Sequence, residues 1–331
     1  MFQSFAFLFG GPAAPIETVA PSRENERALP RLGIALGGGA ARGWSHIGVL
    51  KRFAAHGLVP DVVVGTSIGA VAGACHVAGK LAELETFARS LNKRKVLGLL
   101  DISLGGGGLI GGRRLEEMME RHLADLHIET LSRPFVAVAT EFGTGHEIWL
   151  KHGPLIEAVR ASYALPGIFE PVRIGNRWLF DGALVNPIPV SVCRAFGARV
   201  VVAVNLHGET FGRGITVTGQ EPEHHLLPAA PELRSSALRE RTGDRAVRRS
   251  IVGPVDGAPS LSAVMVEAFN ITQDRIARSR LAGDPPDVMI APRLSRVGLF
   301  DFHRAEESIA AGEEAAERAI GDVLAAVAAL A

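Results

Sequence analysis

The stretch Val62-Val63-Val64-Gly65-Thr66-Ser67-Ile68-Gly69-Ala70-Val71-Ala72-Gly73-Ala74 reads as a buried strand, a sharp turn and a buried helix in immediate succession. A continuous apolar run of valines is what a parallel strand covered on both faces requires. A serine on the turn that follows exposes its hydroxyl where a nucleophile is useful. Gly65 and Gly69 flank it because the turn is strained and the backbones pass closely. In a chain of 331 residues with 38 glycines the motif alone is a weak signal, since an ordinary turn serine looks the same.

Two further features give it weight. Upstream, Gly37-Gly38-Gly39-Ala40-Ala41-Arg42-Gly43 follows the strand-like Ile34-Ala35-Leu36 and precedes a helical pattern at Trp44–His56. Backbone N–H groups free of side chains at a helix start can converge on one negative oxygen. Arg42 adds charge or braces the loop. A nucleotide cradle fits poorly: Arg42-Gly43-Trp44 lacks the Gly-Lys-Ser/Thr of a P-loop, and no acidic residue ends the next strand. Downstream, Asp181-Gly182-Ala183 follows the strand-like Arg177-Trp178-Leu179-Phe180. Asp181 is a candidate base. It lies too early to cap the helix that begins at Pro187, for which Asn186 is better placed.

Strand-length runs recur at Gly33–Leu36, Asp61–Val64, Pro134–Thr140, Arg177–Phe180, Arg199–Asn205 and Asp287–Ala291. Helical patterns at Trp44–His56, Leu81–Leu91, Arg113–Leu123 and Pro187–Phe196 separate them. Alternation of this kind predicts an α/β protein: three layers, α/β/α, with a mainly parallel central sheet and a nucleophile elbow. Residues 1–30 read as a tail with no basic n-region, and 31–207 as the catalytic domain. Residues 208–260 read as a flexible polar insertion rich in arginine, and 261–331 as a helical and strand segment packing on the domain. The tail helix at Phe302–Leu330 is expected to turn Ile309, Ala316, Ile320 and Leu324 inward.

Composition narrows the class. Lys+Arg 35 balances Asp+Glu 35, so no overall field points to nucleic acid. Cys75 and Cys193 sit in apolar helical patterns and read as core residues, which fits a reducing, cytoplasmic setting. The eleven histidines show no HxH or HExxH spacing, so no metal and no cofactor are expected. The apolar tail, the arginine-rich insertion and the glycine-flanked tip Leu109-Ile110 are candidate points of peripheral membrane contact.

The three motifs in this order resemble the patatin-like phospholipases, and most closely the bacterial branch of small patatin-like proteins. The likeness runs on through Gly43–Leu50, Ala161–Phe169 and Asn186–Pro189, covering about residues 31–207. It implies a lipid acyl hydrolase of the phospholipase A or lysophospholipase type, with a lipid or acyl ester as substrate. Ser67 would be the nucleophile and Asp181 the base, with no catalytic histidine. Gly37, Gly38, Gly39 and Ala40 would form the oxyanion hole, and Gly182 the turn after the base. Ala40 stands where many members have glycine; a backbone donor survives that change. Val71, Leu109, Ile110, Leu165, Ile168 and Phe169 are candidates to line an acyl channel. The residues leave three other readings open: a Ser–Asp–His triad esterase using His207 or His303, a thioesterase or general carboxylesterase on the same fold, and a non-catalytic lipid-binding protein.

Overall fold

The computed structural model describes residues 32–92, 113–166, 168–208 and 261–330. The expected tail, the tip Leu109-Ile110 and nearly all of the expected insertion lie outside the described residues. In chain order the elements are β1 (Leu32–Leu36), α1 (Ser45–Ala55), β2 (Val62–Thr66), α2 (Ile68–Val77), α3 (Leu81–Ser90), α4 (Arg113–Leu123), β3 (Phe135–Glu141) and β4 (Glu147–Leu150). There follow α5 (Leu155–Tyr163), β5 (Val172–Ile174), β6 (Arg177–Asp181), α6 (Val190–Ala195), β7 (Val200–Val204), α7 (Leu261–Gly283), β8 (Val288–Ile290) and α8 (Ala305–Ala328). The six strands expected from the sequence are present to within two residues at each end. The short strands β4 and β5 were not expected; neither carries the apolar run that marks a buried strand.

One mixed sheet has the order β5-β6-β3-β2-β1-β7-β8, with β4 on the other edge of β3. From β8 to β3 the neighbours are parallel, while β4, β6 and β5 join antiparallel. Strand parity divides the core into two layers, because alternate side chains point to opposite faces. Ile34, Leu36, Val63, Phe135, Val202 and Val204 pack with residues of α1, α2, α4 and α8. Ala35, Val62, Val64, Val138 and Val201 pack instead with Val190 and Val192 of α6 and Ala277 of α7. The result is an α/β/α sandwich.

Strand β8 extends the sheet beyond β7, and α8 lies along α1. The segment after residue 261 therefore completes the sheet and one helical layer. Along α8 the inward stripe is Ile309, Ala316, Ile320 and Val323, all buried. Leu324 is exposed, contrary to the sequence expectation. The helical repeat places Val323 on the stripe, and its neighbour is rotated by about 100° away from the core.

The arrangement around β3 positions the site. Strand β2 pairs along one edge of β3 only as far as Thr66 opposite Val138. From the next residue that edge belongs to β6, with Asp181 opposite Ala139. The opposite edge is occupied by β4. Strands β2 and β6 thus approach end to end along one partner, and each chain must leave the sheet where they meet. Ser67 is the first residue past β2, and Asp181 is the last residue of β6.

Leaving so abruptly requires close contacts. A β-carbon on Gly69 would lie 2.1 Å from the carbonyl oxygen of Leu36, and one on Gly182 2.2 Å from that of Val138. Gly69→Ala is accordingly expected to destabilise the fold by overpacking, by about 1–3 kcal/mol. The denaturant midpoint of the purified variant measures this; an unchanged midpoint would show that the turn relaxes to admit a methyl group.

Candidate active site

Ser67 sits between β2 and α2 with φ 57° and ψ −125°, a backbone conformation that residues with a β-carbon rarely adopt. Two contacts hold it there. Its amide donates to Ser162 Oγ at 2.9 Å, and that hydroxyl donates to the Val138 carbonyl at 2.6 Å. The preceding residue, Thr66, donates its hydroxyl to the Asn186 carbonyl at 2.9 Å. The elbow is thus tied to α5, to β3 and to the turn that follows β6. Gly65, still within β2, pairs with Leu36 on one side and Ala137 on the other.

Ser67 Oγ donates to Asp181 Oδ2 at 2.6 Å. Among the described residues the carboxylate is otherwise engaged only by the Ala183 amide, which donates to Oδ1 at 2.8 Å. Its backbone is fixed as well: the Asp181 amide donates to the Ala164 carbonyl, and Thr140 Oγ1 donates to the Asp181 carbonyl at 2.8 Å. Asp181 is 1% exposed and Ser67 9%. Burial pushes the Asp181 carboxyl up to about 7, against the opposing pull of the Ser67 hydroxyl and the Ala183 amide.

The glycine loop lies directly against this pair. A β-carbon on Gly38 would stand 3.5 Å from Ser67 Cβ and 3.3 Å from Ala183 Cβ. Its amides are not equivalent in their partners. Gly37 N–H donates to the Val204 carbonyl at 3.1 Å, and Gly38 N–H to the Pro187 carbonyl at 2.9 Å. Both amides are spent on holding the loop to β7 and to the segment after Asn186. The Gly39 and Ala40 amides have no acceptor among the described residues. Ala40 has φ 47° and opens a 3-10 turn, Ala40–Trp44, that leads into α1.

Behind the loop, buried polar side chains hold its shape. His46 Nε2 lies 2.8 Å from the Gly37 carbonyl, so Nε2 carries the proton, and burial lowers its pKa to about 4. Arg42 is buried; its Nε donates to the Val297 carbonyl at 2.9 Å, and Ala41 N–H donates to the Leu299 carbonyl at 3.0 Å. Burial lowers the Arg42 pKa, while the carboxylates of Glu267 and Asp301 act in the opposite sense. Arg42 therefore fastens the loop to the segment between β8 and α8.

His207 is buried beside Arg42 and Asp274, and its pKa is lowered to about 4 by burial and by the Arg42 charge. Its ring makes no hydrogen bond to Ser67 or Asp181. His303 lies in the 3-10 turn Phe302–Arg304 and makes none either. Of the candidate channel residues within the described part, Val71 and Leu165 are buried, Ile168 is half-buried with its amide donating to the Leu165 carbonyl at 3.0 Å, and Phe169 packs edge-on to Tyr163 at 5.2 Å.

Sequence reasoning missed Ser162, Thr140 and His46 as members of this site. A lone serine in a helix and a lone threonine in a strand carry no local signal, because what each does depends on a partner far along the chain. The polar inner face of α7, with Asn270, Gln273 and Asp274 all buried, was missed for the same reason.

The chain is similar to known proteins over most of its length. Residues 34–194 match the family model described as patatin-like phospholipase. An uncharacterised NTE family protein of Mycobacterium tuberculosis is 31% identical over 339 residues, covering 91% of this chain and 94% of that protein. A second NTE family protein of the same organism is 30% identical over 298 residues, covering 87% of this chain and 46% of its own length. Patatin-like phospholipase domain-containing protein 6 of Mus musculus is 32% identical over 182 residues, 53% of this chain and 13% of that protein. An end-to-end relative at this identity, with the family's domain laid over the strands and turns that carry Ser67 and Asp181, places the chain in the NTE family of patatin-like phospholipases, a family of lipid ester hydrolases.

Proposed function

We propose that this chain hydrolyses acyl esters of phospholipids or lysophospholipids by a two-residue mechanism, with Ser67 as nucleophile and Asp181 as general base. The observation that carries the reading is the 2.6 Å hydrogen bond from Ser67 Oγ to a buried carboxylate. A carboxyl with its pKa near 7 is a base poised for neutral pH, whereas one at its ordinary value would hold a proton too weakly.

In the proposed reaction Ser67 Oγ attacks the ester carbonyl carbon as its proton passes to Asp181. The carbonyl oxygen becomes an oxyanion and accepts from the Gly39 and Ala40 amides, the two loop donors with no acceptor of their own. The positive end of α2, which begins at the residue after Ser67, favours the same charge. Collapse breaks the ester C–O bond, and the departing alcohol takes the proton from Asp181. Water then gives a proton to Asp181 and attacks the acyl-serine. The second tetrahedral species collapses to the fatty acid, and Ser67 recovers its proton.

The positions of His207 and His303 support two residues over a triad, since neither ring bonds to either member of the pair. Ser67→Ala and Asp181→Asn are each expected to abolish turnover of a soluble p-nitrophenyl ester in a folded protein. His207→Ala and His303→Ala are expected to cost less than tenfold. A loss of about 10³-fold from either histidine change, with normal circular dichroism, would establish a triad instead.

The acid limb of the pH profile follows from the same carboxyl. Asp181 must be ionised to accept the serine proton, so kcat/KM should fall about tenfold per pH unit below about 7. Stability should move the opposite way. The folded state keeps the carboxyl protonated up to about 7, while the unfolded chain ionises it from about pH 4, so this group lowers stability as pH rises across that window. Asp181→Asn should flatten that decline in urea unfolding between pH 4 and 7; an unaltered slope would show that the carboxyl is not raised.

Ser162 is proposed as a positioning residue. Ser162→Ala should leave KM nearly unchanged and lower kcat about 10²-fold, because the elbow loses the bond that aims Ser67. Ser162→Thr should restore part of the rate, whereas a merely structural role would lower thermal stability without separating kcat from KM.

A further inference from the structure

Apolar side chains that a soluble fold leaves in water call for a partner, particularly when they are aromatic and contiguous. Phe142 is 67% exposed and Trp178 is 49% exposed, the highest values among the large apolar residues described. They adjoin one another: Phe142 N–H donates to the Trp178 carbonyl at 2.8 Å, and the Phe142 ring packs edge-on to Phe180 at 6.1 Å. Thr140, Phe142, Phe180 and Trp178 share the sheet face that α6 and α7 cover further back. On the other edge of β3 this cover reaches β4, where Trp149 packs on Phe196 and Arg280 of α7 pairs with Glu147 at 3.0 Å.

Charge on the patch is of one net sign. The Arg173 guanidinium stands over the Trp178 ring at 6.0 Å, on the residue paired with Trp178 across the strands, and has no carboxylate partner among the described residues. Arg177 lies 3.5 Å from Glu141, whose carboxylate is shared with His146. One arginine is thus uncommitted, and the other holds only part of a carboxylate.

Position gives the patch its meaning. Strand β3 outruns β2 by three residues, and the aromatic corner is built where it does so. The patch therefore projects from the same end of the sheet at which Ser67 leaves β2. Trp178 is three residues before Asp181 on β6, about 10 Å along the strand.

We propose that Phe142, Trp178 and Phe180, with Arg173 and Arg177, form the surface by which this protein adsorbs to an anionic phospholipid bilayer. Tryptophan and phenylalanine settle at the level of the head groups, and each arginine near an anionic surface adds attraction to lipid phosphate. The short antiparallel hairpin β5–β6 presents the patch on a rigid element, so adsorption turns the end of the sheet that carries Ser67 toward the lipid. The proposal complements the ester chemistry above. Adsorption is read without turnover, so either reading can fail without the other.

The test is co-sedimentation of the full chain with vesicles of phosphatidylcholine, with and without 30% phosphatidylglycerol, an anionic fraction of about one lipid in three. The unaltered protein should bind the anionic vesicles more strongly. Phe142→Ser/Trp178→Ser should bind them at least tenfold more weakly while hydrolysing a soluble ester at the unaltered rate. Arg173→Gln should remove most of the preference for the anionic lipid. As a second readout, Trp149→Phe leaves Trp178 as the one exposed tryptophan among the described residues, and brominated lipid should quench its emission. Equal binding by the double variant, absence of binding by the unaltered protein, or unquenched Trp178 would overturn the proposal. So would a change in oligomeric state of the double variant without vesicles, which would make the patch a protein contact.

Discussion

The site depends on a constraint of strand pairing: one edge of β3 is shared, first by β2 and then by β6. Parallel and antiparallel neighbours cannot both continue along one edge, so each chain must turn away at the junction. The hydroxyl and the carboxyl are carried by the residues at that junction. Their close approach therefore follows from backbone register, which is fixed by the ladders on both sides of β3, more than from side-chain adjustment. The strained conformation of Ser67 is the local expression of the same constraint, and the ties from Ser162, Thr66 and Thr140 distribute it over α5, β3 and the turn after β6.

Burial then sets the chemistry. A carboxylate excluded from water is costly unless it is hydrogen-bonded, and Asp181 receives one amide and one hydroxyl donor. Two donors are enough to seat the group but too few to hold it strongly acidic. The glycine loop shows a similar economy: two of its amides fasten it to the fold and two are left over. An Arg42 and a His46 without charge-bearing roles in the proposed reaction serve as struts, which is why substitution of buried polar residues around this site should not be read as direct evidence of catalysis.

Much of this was legible in the sequence, for identifiable reasons. Val62–Val64 and Arg199–Asn205 are unmistakable as buried strands because parallel pairing demands apolar residues on both faces. Ser67, Asp181 and the glycine loop could be found because their neighbours are constrained: where backbones pass within contact, only small residues fit, and a cluster of them is visible in one dimension. Strands β4 and β5 were not visible, since an exposed edge strand such as Val172–Ile174 lacks that demand. Nor was the division of labour among Gly37–Ala40, because the acceptors Val204 and Pro187 lie more than a hundred residues away. Leu324 shows the limit of periodicity alone: a stripe of alanines defines the inward face so broadly that Val323 or Leu324 could each have belonged to it.

The hydroxyl and its carboxyl partner are separated by 114 residues. During synthesis Ser67 emerges long before Asp181, which lies on β6 at the edge of β3. Strand β7, the second neighbour of β1, is made later still. A growing chain therefore carries the serine without the group proposed to activate it, and the reactive pair comes into being only when the two halves of the sheet have met. Under the proposed mechanism the serine of a nascent chain would stay unactivated until β6 has joined the sheet.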